Sequence, residues 1–172
     1  MDRYDDLRGF VHARGAALSR TAFLLTGDRH AAEDLVQETY AETVRRWRSI
    51  DGSDPEPYVR RILYSRFVDG LRRRRLVESS TGTVPEQASS DRWEGAAVDR
   101  LSLAGALGRL TVHQRAMLVL RFYDDLTEVQ TAAALGVSQS TVKSQTRLAL
   151  RRLRELAPDV LAAFTPLEEV AE

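Results

Sequence analysis

Between Lys143 and Arg154 the sequence sets five cations, Lys143, Arg147, Arg151, Arg152 and Arg154, with no acidic residue among them. Lys143, Arg147 and Arg151 recur every four residues, so on a helix they share a face with Ser140 and Ser144, and Thr141 lies beside them. Short hydroxyls and long cations on one face are the groups that reach base edges and phosphates in a DNA groove. An ordinary solvated surface helix carries the same pattern, so the helix alone does not separate the two readings.

A second basic block runs from Arg45 to Arg75, with ten arginines against four acids. Within it, Arg60, Arg61, Arg72 and Arg73 alternate with Tyr58, Tyr64 and Phe67, and Ser65 lies between them. Cations that follow phosphate and rings that stack on exposed bases suit unpaired DNA. Aromatics at helical spacing more often fill a core, and Phe67 is assigned there; the Arg72 to Arg75 cluster also suits a merely solubilising role. A third group, Asp34, Gln37 and Glu38, falls on the helix side away from Leu35 and Trp47, and by itself reads as a solvated face.

Catalytic patterns are missing from the sequence. There is no HExxH, GxSxG, P-loop or dinucleotide fingerprint, and His12, His30 and His113 are too isolated to form a metal site. No cysteine is available for a disulfide, a thiol nucleophile or a zinc ligand. The expectation is a binding protein with no catalytic residue, metal, cofactor or small-molecule substrate. MDRYDDLRGF lacks the order of a signal peptide, and no apolar run approaches the roughly 20 residues that span a bilayer. A cytoplasmic protein without membrane insertion is expected.

The elements that position these groups are helical throughout. Leu7, Val11, Leu18, Thr21 and Leu25 mark a first helix ended by Gly27, and Asp28 caps a second with Ala32, Leu35, Val36, Thr39, Thr43 and Trp47 inward. Asp54-Pro55 starts a third, striped by Val59, Ile62, Leu63, Phe67 and Leu71. The segment from Glu78 to Asp99 carries five acids and one arginine amid Ser, Thr and Gly, and reads as a linker. Its some 21 residues, fully extended, could reach on the order of 70 Å, enough to set two domains on separate DNA elements.

The second half opens on Leu103, Leu107 and Leu110. Two capping boxes follow, Thr111 with Gln114 and Thr127 with Gln130, and the short helix after the second stops at Leu135-Gly136. Ser138 then caps a longer helix reaching about Leu156, with Val142, Thr146, Ala149 and Leu153 inward. A short helix, a tight glycine turn and a second, basic helix form a helix-turn-helix, whose second helix enters the major groove. The expected fold is all-α, with two small helical domains at 1–76 and 99–156, a flexible acidic linker at 77–98 and an acidic tail at 157–172. The net charge of zero conceals two blocks that would each meet polyanion.

The runs GDRHAAEDLVQETYAETVRRW, PYVRRILYSRFVDGLRRRR and LTEVQTAAALGVSQSTVKSQTRLALRRLREL resemble the extracytoplasmic-function sigma factors of the sigma-70 superfamily, over nearly the whole chain. The pattern Glu128-x-x-Thr131-Ala132-Ala133-x-Leu135-Gly136 looks like an actinobacterial branch, and arginine at 24 of the 25 basic positions suits a GC-rich genome.

The resemblance implies a region 2 domain that binds core RNA polymerase and the minus-ten element, and a region 4 helix-turn-helix that reads the minus-thirty-five element. Asp34, Gln37 and Glu38 would face the polymerase. Arg60, Arg61, Tyr64, Ser65, Arg72 and Arg73, with the loop from Ile50 to Pro57, would handle minus-ten DNA, where one base is flipped out. Ser140, Thr141, Lys143, Ser144, Arg147 and Arg151 would read minus-thirty-five DNA. Partners would be core RNA polymerase, promoter DNA and an anti-sigma factor that the sequence does not name. Departures from the family occur at Tyr58-Val59 and Ser65, where many relatives have Trp-Leu and Asn, and at Leu148, where many have Arg. The rival reading is a helix-turn-helix regulator of duplex DNA acting without polymerase, which would need a dimer seam or effector pocket in the first half.

Overall fold

A computed structural model describes residues 3–50, 54–81 and 103–158 of the 172-residue chain. Every regular element among the described residues is helical. Helix α1 (Arg3–Thr26) and helix α2 (Arg29–Arg46) pack on one another across a tight turn. Gly27, at φ 72°, provides the left-handed residue that ends α1, and its N–H donates to the Phe23 carbonyl at 2.8 Å. The Asp28 side chain then accepts from Ala31 N at 2.7 Å and caps α2. A 3-10 turn, Trp47–Ser49, follows.

Helix α3 (Glu56–Thr81) starts where Asp54 Oδ1 accepts from Glu56 N at 3.1 Å and Pro55 O accepts from Val59 N at 3.0 Å. Leu18, Leu25, Leu35, Val36, Val59 and Leu63 form the core among these three helices. Thr39 and Thr43 are buried on the inner face of α2 without cost, because their hydroxyls donate to the carbonyls of Leu35 (2.7 Å) and Thr39 (2.8 Å). Trp47 meets Phe10 edge-tilted, with ring centroids 6.1 Å apart. Helix α3 continues through Thr81, so residues 77–81, read from composition as the start of the linker, are helical. Residues 82–98 of that linker, 51–53 of the loop before α3 and 159–172 of the tail lie outside the described residues.

The second half contains α4 (Leu103–Gly108), α5 (Val112–Leu118), α6 (Glu128–Leu135) and α7 (Gln139–Leu156). Both capping boxes form reciprocally, Thr111 with Gln114 and Thr127 with Gln130. Gly136, at φ 66°, ends α6, and Ser138 caps α7 by accepting from Thr141 N at 3.1 Å. Met117, Ala132 and Val142 pin α6 to α7 as a small separate cluster.

After α5 the backbone widens into a π-helical turn, Val119–Tyr123. Asp124 N donates to Val119 O at 3.0 Å to close that turn, and Asp125 takes the left-handed φ of 53° before the chain enters α6. Aspartate is among the few residues that tolerate this conformation.

The two halves are not held apart. One hydrophobic cluster runs through both, joining Leu18, Leu25 and Leu63 to Leu107, Leu120 and Leu150. Helix α5 and its π turn lie on α1, and α6 lies on α3. Arg115 crosses this seam: it is 1% exposed and donates to the carbonyls of Leu25 (3.0 Å) and Thr26 (3.3 Å). It thereby caps the C-terminal end of α1, where a cation also meets the negative end of the helix dipole. Burial pushes its guanidinium down to about 10.

Candidate nucleic-acid interface

The faces of α7 separate as its periodicity predicts. Val142, Thr146, Ala149 and Leu153 are buried, whereas Ser140, Lys143, Ser144, Arg147 and Arg151 are exposed and Thr141 is half-buried. Near the N-terminus the hydroxyls form a chain, with Ser138 Oγ 2.9 Å from Ser140 Oγ and 2.8 Å from Thr141 Oγ1. Ser144 Oγ donates to Thr141 O at 3.1 Å. Lys143 leans toward Glu128 of α6, with 3.8 Å between Nζ and Oε2, and Gln139 donates to the same oxygen at 3.2 Å. Arg147 and Arg151 have no acidic partner among the described residues, so their forks stay open to a polyanion.

The residues singled out on α3 are divided between several environments. Arg61 and Ser65 are exposed and, with Arg72, line a cleft of about 410 Å³ between α3 and the end of α6. The Arg61 guanidinium lies over the Tyr58 ring, 5.7 Å from its centroid. Arg72 approaches the helix-turn-helix turn so closely that a Cβ on Gly136 would stand 3.1 Å from its Nη2. Arg73 points instead toward α2 and pairs with Glu38 at 3.7 Å. Asp34, Gln37 and Glu38 are all exposed on α2.

Arg60 and Tyr64 lie on another side of α3 and are covered. Tyr64 is 3% exposed, and its hydroxyl donates to Asp124 Oδ2 at 2.7 Å. Arg60 donates to Asp124 Oδ1 at 2.6 Å and to Glu56 Oε1 at 3.0 Å, and Thr21 Oγ1 donates to Asp124 Oδ1 at 3.2 Å. Burial, and then the Asp124 charge, raise the Tyr64 hydroxyl well above its ordinary value. For Arg60, burial acts downward but is outweighed by Asp124 and the hydrogen bonds of Tyr64 and Glu56, so the guanidinium is held more firmly charged than usual. With its ring buried, Tyr64 cannot stack on a base in this arrangement, contrary to the expectation from its place among the arginines.

Sequence reasoning missed Asp124, Arg115, Glu128 and Glu42. Glu42 gathers Arg45 and Arg66 at 3.0 Å each, together with Arg46, whose hydrogen bond is the main influence holding the Glu42 carboxyl below its usual range. Three of the arginines in the basic block therefore already share a counter-charge. The only signal for Glu128 was its place one residue after the Thr127 cap; Asp124 offered none.

Two family models match the chain, Sigma-70 region 2 over residues 10–77 and Sigma-70, region 4 over residues 106–155. The RNA polymerase sigma-E factor of Streptomyces coelicolor is 39% identical over 163 residues, which cover 93% of this chain and 92% of that protein. The chain belongs to the extracytoplasmic-function sigma factors. The ECF RNA polymerase sigma factor SigL of Mycobacterium tuberculosis is 36% identical over 158 residues, covering 86% of each chain. Among solved structures, the sigma factor RpoE of Bartonella quintana, in complex with the anti-sigma factor NepR, matches with a TM-score of 0.64 and 29% identity, over 88% of this chain and 96% of that one.

As a sigma factor the chain binds core RNA polymerase and directs promoter-specific initiation. A stand-alone helix-turn-helix regulator is not favoured, because the region 2 match covers the half of the chain where such a regulator would need a dimer seam or effector pocket. Sigma factors are initiation factors and not a catalytic class. No helix among the described residues is long and apolar enough to cross a membrane.

Proposed function

We propose that α7 reads the minus-thirty-five element through Arg147, Lys143 and Arg151, with Ser140, Thr141 and Ser144 lining the approach. In the same reading α3 handles minus-ten DNA through Arg60, Arg61, Tyr64, Ser65, Arg72 and Arg73, while Asp34, Gln37 and Glu38 of α2 meet the polymerase. The observation that carries this reading is the α7 face, on which Arg147 and Arg151 stand exposed without an acidic partner above a fully buried apolar stripe. Unpaired guanidinium forks on the second helix of a helix-turn-helix are what guanine edges and phosphates accept. The protein acts in the cytoplasm, where core polymerase and DNA are found. An anti-sigma factor is a further partner, supported by the likeness to a sigma factor solved with one.

Run-off transcription tests the reading. Purified core polymerase is supplied with or without this chain on a library of promoter fragments, and initiation from a common pair of elements is expected only with the chain present. Equal transcripts in both reactions would overturn the assignment.

A further inference from the structure

We propose that Asp124 is an intramolecular latch, which closes region 4 over the minus-ten surface of α3 and masks it until the polymerase separates the two halves. The side chain of Asp124 is 1% exposed, yet it carries a charge in a seam between two domains. Three donors from the other half converge on it: Arg60 at 2.6 Å, Tyr64 at 2.7 Å and Thr21 at 3.2 Å. A carboxylate withdrawn from water persists only with such partners. The widened turn Val119–Tyr123 and the left-handed Asp125 set the backbone that delivers Asp124 to this point.

The same contact removes two groups from any other ligand. Arg60 and Tyr64 cannot hold Asp124 and a DNA strand at once, so the carboxylate occupies the place of a phosphate. One turn and two turns further along α3, Val68 and Arg72 continue toward α6, where Arg72 stands against Gly136. Arg115 adds an independent clasp on the far side of the seam by capping α1. A chain with its DNA surface occupied pays, in apparent affinity, the fraction of molecules that are open.

The proposal rests on the reading of α3 as the minus-ten surface, and its test separates the two. The chain has no cysteine, so dyes are placed on His12→Cys in α1 and Arg154→Cys in α7, both exposed positions, and energy transfer reports how close the halves lie. In the full-length chain without polymerase, Asp124→Asn is expected to lower the transfer and to tighten binding of a single-stranded non-template oligonucleotide on the order of tenfold, a typical coupling between sites. Asp124→Arg, which places two guanidinium groups together, should do both more strongly. Holoenzyme containing Asp124→Asn should initiate as well as the unaltered one, since the polymerase has already opened the latch.

Unchanged transfer in both variants, with melting curves that show them folded, would overturn the latch. Separated halves without tighter oligonucleotide binding would overturn the masking. In that case Arg60→Ala in holoenzyme shows which idea failed: normal promoter opening by this variant refutes the minus-ten reading, and lost opening refutes the mask alone.

Discussion

Arg147 and Lys143 stand one helical turn apart on α7, yet only Lys143 has an acidic neighbour, Glu128 at 3.8 Å. The two cations should therefore answer to different tests. If Arg147 forks onto a guanine edge, Arg147→Ala should cost about 1–3 kcal/mol and relax preference at one position of the upstream element. Loss of Lys143, a point charge, should weaken all sequences more evenly and make the slope of log affinity against log salt shallower by about one. Transcription by holoenzyme from a library randomised across that element measures both, and an identical preference profile for the two alanine variants would refute the assignment. Arg115 supports a prediction of another kind. Arg115→Ala leaves a cavity and two uncapped carbonyls at the end of α1, so the full chain should lose about 2–4 kcal/mol. An unchanged urea midpoint would show that the clasp contributes nothing.

At the scale of elements, α2 presents one face to the core of region 2 and the other to solvent. Asp34 and Glu38 lie on the outer face, and the Glu38 to Arg73 pair is exposed on both sides, so its contribution to stability is small. The double substitution Asp34→Arg with Glu38→Arg is therefore expected to abolish association with core polymerase while changing stability by no more than about 0.5 kcal/mol. A pull-down on core, run beside a thermal melt, decides this, and retained binding by a normally melting variant would exclude the face. For α7 the decisive local feature is its cap. Ser138→Ala removes the acceptor for Thr141 N and should cost about 1 kcal/mol in a urea melt. Because Ser140 and Thr141 hold their hydroxyls through Ser138, minus-thirty-five recognition should weaken with it.

Across the whole molecule, a formal charge of zero is assembled from segregated blocks. The isolated chain is expected to bind duplex promoter DNA weakly, since the basic blocks are offset by acids both in sequence and, at Glu42, Asp124 and Glu128, in direct contact. Gel shifts at physiological salt provide the measurement, and tight sequence-specific complexes formed by the chain alone would contradict it. Core polymerase should restore binding by separating the halves.

Each helix start and stop was legible in the sequence, because capping and periodicity are local: Gly27, Asp28, Asp54, Thr111, Thr127, Gly136 and Ser138 act on backbone groups within one turn. The outward face of α7 was legible for the same reason, as a helix with one apolar stripe has only one side to bury. The end of α3 was not, since an acidic, serine-rich stretch with no stripe to pack gives no periodic signal, although its backbone remains helical to Thr81. Nor could the sequence tell Arg60 and Tyr64 from Arg61 and Ser65. All four share a short stretch of one helix, and what separates them is Asp124, 64 residues beyond Arg60 and 60 beyond Tyr64. Local spacing fixes which residues share a face; only the packing of one domain on the other decides which face meets a carboxylate and which meets solvent.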